Sequence, residues 1–211
     1  MSVCASIYGC SGTALTDEER RFFRDVRPWG FILFARNIDE PEQVRRLIAD
    51  LREAAGHEAE VLVDQEGGRV QRLRPPHWRA YPPGRRFGEI YEKEAETGLH
   101  AARLGAKLIA AELRYLGFTV DCLPVLDVPV PGAHDVIGDR AYSLKPGPVA
   151  ALGLAASEGL LAGGVLPVIK HIPGHGRAGV DSHLSLPVVD TPASELEKID
   201  FAPFHSLRHM P

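Results

Sequence analysis

The sequence is short of the features that mark several protein classes. It holds three cysteines, Cys4, Cys10 and Cys122, in 211 residues. Their spacing matches no metal-ligand pattern, and an odd, sparse count suits a reducing compartment better than a disulfide-built secreted fold. There is no basic excess: 24 Lys and Arg stand against 28 Asp and Glu, for a net charge of −4. A nucleic-acid binder usually shows a basic surplus or stripe. No apolar run reads as a bilayer span, because the most apolar stretch, Val149 to Ile169, is interrupted by Glu158, Gly163, Gly164 and Pro167. The opening residues, Met1-Ser2-Val3-Cys4-Ala5, lack the positive region of a secretory leader. Linkers, internal repeats and low-complexity segments are also missing. The expectation is a soluble cytoplasmic protein with neither membrane nor nucleic acid as partner. What remains is ordinary globular composition, 45% hydrophobic and 25% charged, in a chain long enough to bury a sizeable core.

Short apolar runs alternate with helical patterns. Val3 to Tyr8 reads as a strand, and Thr16-Asp17-Glu18-Glu19 as a capping box opening a helix towards Val26. Gly30 to Phe34 is a second strand. After Pro41 comes a helix with Val44, Leu47, Ile48 and Leu51 on one face, stopped by Gly56. Val61 to Val63 is a third strand. Leu99, Ala102, Ala106, Ile109, Leu113 and Leu116 mark a long helix capped by Gly117. Phe118 to Leu126 is a fourth strand, Val149 to Leu161 a helix, and Val165 to Ile169 a fifth strand. Thr191, with Pro192 at the first helical position, opens a last helix running to about Leu207. This alternation predicts an α/β fold of parallel strands covered by helices, read as one domain over residues 1–211.

Polar residues gather where strands end. Asp64-Gln65-Glu66-Gly67-Gly68-Arg69 follows the third strand, and Asp127 ends the fourth. Lys170-His171-Ile172-Pro173-Gly174-His175-Gly176 follows the fifth, with Asp181-Ser182-His183 soon after. Parallel strands bring their C-terminal ends to one rim, so residues distant in sequence can converge there. The adjacent glycines after Glu66 would also serve a plain turn, and Arg72 could be a solvated surface arginine. Gly174 to Gly179 fits G-x-G-x-x-G, yet no helical pattern follows to hold a pyrophosphate, so it reads as a glycine-rich loop. His171, His175, Asp181 and His183 are possible zinc ligands, although their spacing is irregular. Asp181 and His183 suit another use: an imidazole that gives and takes a proton, oriented by a nearby carboxylate. A surface pair on a loop would look the same.

Taken together, Gly30 to Asn37, Val63-Asp64-Gln65-Glu66-Gly67-Gly68-Arg69-Val70-Gln71-Arg72, Pro124 to Val128, Ile137-Gly138-Asp139-Arg140, Lys170 to Gly176 and Asp181-Ser182-His183 resemble bacterial β-N-acetylhexosaminidases of glycoside hydrolase family 3. The matches cover almost the whole chain and fall in family order. The resemblance implies a (β/α)8 barrel of TIM type and a retaining mechanism through a glycosyl-enzyme. His183 would be the general acid/base, oriented by Asp181. Asp64, Arg72, Arg140, Lys170 and His171 would line the sugar subsite, since a sugar's hydroxyls need many donors and acceptors. The implied partner is a small sugar substrate, a muropeptide from peptidoglycan turnover; no cofactor and no metal are implied, and the oligomeric state is left open.

One departure stands out. The family's nucleophile is an aspartate in a Ser-Asp-Asp-Leu-like segment, and no such segment occurs here. A full barrel takes about 250 residues, so roughly five βα units are expected, with the C-terminal strands missing and the fifth strand left as an unpaired edge. The expectation is a fragment of marginal stability that lacks the attacking carboxylate. Two other readings stay open: a non-catalytic sugar-binding fragment, and a metal-dependent hydrolase built on the same four His and Asp residues.

Overall fold

Thr16 starts the first helix as its sequence requires. Its hydroxyl accepts from the Glu19 N–H at 3.1 Å while the Glu19 carboxylate accepts from the Thr16 N–H at 2.9 Å. In the computed structural model, which describes residues 2–180 and 184–210, this helix, α1 (Asp17–Val26), follows strand β1 (Cys4–Tyr8). Strand β2 (Pro28–Leu33), helix α2 (Pro41–Ala55) and strand β3 (Glu60–Val63) come next. A hairpin of β4 (Gln65–Gly67) and β5 (Val70–Gln71) leads to α3 (Gly84–Lys93) and α4 (Ala95–Leu116). Strand β6 (Val120–Asp121), α5 (Pro146–Ala162), β7 (Leu166–Pro167), α6 (Ala193–Ile199) and α7 (Ala202–Leu207) complete the order.

Five strands form one parallel sheet in the order β1-β2-β3-β6-β7, so each new strand is added beside the last. A doubly wound sheet would reverse its order at a switch point; this one does not, which is the arrangement of an arc of a (β/α) barrel. Strand alternation divides the side chains between two faces. Phe31, Leu33, Val61 and Val63 join the main core beneath the helices, while Ile32, Leu62, Val120 and Cys122 form a small separate cluster on the other face. The helical faces read from spacing are the buried ones: Val44, Leu47, Ile48 and Leu51 on α2, and Ala102, Ala106, Ile109, Leu113 and Leu116 on α4. Gly56 and Gly117 cap these helices at φ 69° and 100°. No helix among the described residues is long and apolar enough to cross a membrane.

Three expectations change. The fourth and fifth strands are each regular over only two residues, because Pro124 has no N–H to give the ladder and Leu123 N–H turns to the Asp121 carbonyl at 2.8 Å. Pairing resumes beyond this kink, where Leu126 N–H donates to the Lys170 carbonyl at 2.7 Å. The single last helix is two, α6 and α7, and Pro192 sits at the cap rather than inside the first turn. Pro203 cannot donate to the Ile199 carbonyl, and the Asp200 side chain is drawn away to Arg177 at 2.7 Å. Finally, α3 and the β4–β5 hairpin were not among the predicted elements.

Candidate active site

Three loops at the C-terminal ends of β3, β6 and β7 build the site. The first is shaped by two buried amides. Gln65 accepts from the N–H groups of Arg72 and Leu73, both at 3.0 Å, and Gln71 accepts from Tyr81 N–H at 3.0 Å. Gly67 adopts φ 93°, and a Cβ there would collide with the Pro82 carbonyl, so only glycine lets the hairpin fold under this loop. The result fixes Asp64, Glu66 and Arg72 side by side.

Asp64 accepts from Lys170 Nζ at 2.8 Å and from Arg72 Nη2 at 3.0 Å. Lys170 Nζ also lies 2.5 Å from Glu66 Oε1. Arg140 holds Glu66 with both arms of its fork, Nε to Oε2 and Nη2 to Oε1, each at 2.9 Å. The same Nη2 lies 3.3 Å from His171 Nε2. On its other side His171 Nδ1 lies 2.5 Å from the fully buried Asp127 carboxylate, which also accepts from His175 N–H at 2.6 Å. Arginine has only donors, so His171 Nε2 must accept from it and the ring proton belongs on Nδ1, given to Asp127. Gly176 lets this last loop close: a Cβ there would meet the Val128 carbonyl and backbone.

The charges balance. Three carboxylates, Asp64, Glu66 and Asp127, face Arg72, Arg140 and Lys170. Burial alone would raise the Asp64 carboxyl, but Lys170 and Arg72 beside it hold it below the ordinary value. Burial would likewise lower the Lys170 ammonium, and Glu66 and Asp64 outweigh it and push it up. Below them Asp121 is fully buried, with one oxygen accepting from Gln65 N–H at 3.0 Å and the other without a partner among the described residues. Its burial pushes the carboxyl well above the usual carboxylate range. A pocket of about 300 Å³ adjoins His171 and His175, walled by Pro187, Val189, Leu196 and Phe201.

Of the residues singled out from sequence, Asp64, Arg72, Arg140, Lys170 and His171 converge here. Asp181 and His183 lie outside the described residues. In sequence Glu66 and Asp127 read only as strand-end carboxylates, and Asp121 carries no signal. Glu66 could have been found from its position two residues after Asp64, on the same side of an extended segment. Among the described residues, no group of three or more His, Cys, Asp or Glu side chains is placed to hold a metal ion.

The profile described as "Glycosyl hydrolase family 3 N terminal domain" matches residues 9–208. The chain belongs to glycosyl hydrolase family 3. A family relative from Thioalkalivibrio sulfidiphilus, named beta-hexosaminidase, is 40% identical over 98% of this chain and 59% of its own length. The chain thus spans about three-fifths of the length of that relative. A solved family structure, NagZ from Neisseria gonorrhoeae in complex with N-trifluoroacetyl-D-glucosamine, is 35% identical with a TM-score of 0.91, covering 97% of this chain and 60% of that one. The same Neisseria protein has also been solved in complex with zinc ion. These likenesses give the fold its family form, an α/β barrel of TIM type of which this chain holds five parallel strands.

Proposed function

We propose that the chain carries the sugar-binding part of a β-N-acetylhexosaminidase that removes terminal β-linked N-acetylglucosamine from cell-wall muropeptides in the cytoplasm. The reading is carried by one observation: Asp64, Arg72, Arg140, Lys170 and His171, far apart in sequence, meet in one hydrogen-bonded cluster at the strand ends. Asp64 and Arg72 offer an acceptor and a donor to neighbouring hydroxyls, Lys170 is a second donor, and the Arg140–His171 pair presents a donor face beside them. The Neisseria relative's sugar complex supports an amino-sugar ligand. His183, oriented by Asp181, would protonate the leaving oxygen in a retaining reaction. With no Ser-Asp-Asp-Leu-like segment in the sequence, these 211 residues are proposed to bind sugar without turning it over, as one domain.

Calorimetric titration with N-acetylglucosamine tests the site. Binding to the parent chain, lost in Asp64→Ala and Lys170→Ala, is the expected result. Binding that survives both substitutions would remove the assignment. A chromogenic β-N-acetylglucosaminide tests the chemistry: turnover is expected from a form extended with the family's remaining segment, and not from this chain. An inactive extended form would sink the enzymatic part alone.

A further inference from the structure

Arg69 stands in the hairpin turn, outside the cluster, and makes an unusual set of bonds. Its Nη2 lies 2.6, 3.1 and 3.0 Å from the carbonyl oxygens of Asp135, Val136 and Ile137. Its Nε is 3.0 Å from Asp139 Oδ1. Three successive carbonyls aimed at one point repel each other, and a guanidinium between them is the counter-charge that lets the turn close. The backbone is moulded to this side chain: Gly138 adopts φ 45°, and a Cβ there would lie 2.8 Å from Arg69 Nη2. The turn runs directly into the short helix Gly138–Arg140, and Val136 O accepts a second bond from Arg140 Nη1 at 3.1 Å. One carbonyl is therefore gripped by Arg69 from outside the site and by Arg140 from within it.

We infer that Arg69 is a positioning residue for sugar binding: by closing the 135–140 turn it aims Arg140 at Glu66 and His171. This rests on the reading of Arg140 and His171 as sugar contacts. The ion pair with Asp139 contributes little, because both partners are substantially exposed, at 42% and 49%. The work is done by the planar fork against the carbonyls, which a compact lysine ammonium cannot reproduce. Arg140 in turn donates to His171 Nε2 while Asp127 holds the ring proton on Nδ1, so a turn that loosens is read out in the chemical shift of Nε2.

The test is ¹⁵N–¹H correlation of the His171 ring together with N-acetylglucosamine titration, on the parent, Arg69→Ala, Arg69→Lys and Lys170→Ala. His171 is expected to keep its proton on Nδ1 throughout, with the Nε2 resonance moving downfield in both Arg69 variants as it loses the Arg140 donor. Their Kd is expected to rise about tenfold, the equivalent of about 1.4 kcal/mol, with the unfolding midpoint little changed. Arg69→Lys keeps the test intact should Arg69→Ala fail to fold. An unchanged Nε2 shift overturns the inference. So does an unchanged Kd where Lys170→Ala abolishes binding, and that outcome leaves the sugar site standing. If the parent binds no sugar, or Lys170→Ala binds as well as the parent, the sugar reading falls and with it the role in binding; the Nε2 shift then decides only whether Arg69 aims Arg140.

Discussion

Lys170→Met removes the one ammonium that joins two carboxylates. Its side chain is 12% exposed and contacts Asp64 and Glu66 at 2.8 and 2.5 Å. Breaking a buried pair by deleting one partner costs about 3–5 kcal/mol, because a charge is left behind without compensation. Here each carboxylate keeps another cation, Arg72 on Asp64 and a two-armed Arg140 on Glu66, so the lower end, about 3 kcal/mol, is expected. In a chain of this size that lowers the melting temperature by about 6–12 °C. The pH dependence has a definite sign. With Lys170 present, the Asp64 carboxyl is held low, so its contribution exists above its unfolded pKa and fades as pH falls through the folded one. The raised Lys170 ammonium contributes below its unfolded pKa and is lost as pH rises through its folded one. The penalty of Lys170→Met is therefore full at neutral pH and shrinks on acidification, as Asp64 takes up its proton. Urea unfolding of parent and variant from about pH 2 to pH 7, across the range in which a depressed carboxylate is protonated, measures this. A loss under about 1 kcal/mol at neutral pH, the level of an exposed pair, or a loss that does not change with pH, would refute a buried, tightly coupled cluster.

Asp121→Asn should be nearly neutral in stability at about pH 4 and should gain on the parent as pH rises towards 8. A carboxyl raised in the folded state contributes fully only below its unfolded pKa, and the amide has no proton to lose; a variant that loses ground with rising pH in urea titrations would mean that Asp121 is ionised and paired. Gly176→Ala should cost about 1–3 kcal/mol by overpacking against the Val128 backbone, and should weaken N-acetylglucosamine binding by shifting the loop that seats His171; unchanged affinity by calorimetry would separate that loop from the site. In an extended, active form, His183→Ala should slow glycosides with poor leaving groups far more than those with good ones, since only the former need protonation. Equal loss across a leaving-group series would take the acid role from His183.

The framework was legible because it follows from periodicity and from signals with one meaning. The capping box at Thr16, the α2 and α4 faces and the capping glycines required only local rules, and the strand ends placed Asp64, Lys170 and His171 on one rim. What escaped depends on contacts across the chain. The shortened β6 and β7 turn on how Pro124 meets a neighbouring strand, and the break between α6 and α7 on Arg177 reaching Asp200. Glu66 was passed over because a carboxylate beside an aspartate looks redundant in sequence; only the fold shows that Lys170 needs two anions and Arg140 needs one of them. Asp121 carries no signal, since an aspartate buried without a countercharge is written like any other.

The charge balance bears on what the site can hold. Buried ions are costly unless each finds a partner, and here the cations and anions compensate one another before any ligand arrives. A site for a phosphate or carboxylate would leave guanidinium or ammonium groups facing outward with their charge unspent. In this cluster Arg140 is committed to Glu66, and Lys170 to Asp64 and Glu66. What such paired groups still offer is direction: remaining N–H vectors and lone pairs, fixed in place, with little net field. A neutral ligand with many hydroxyls profits from that, because each hydroxyl can both give and accept. The same pairing resists collapse of the site when no ligand is present, since every charged group is already held by a hydrogen-bonded partner.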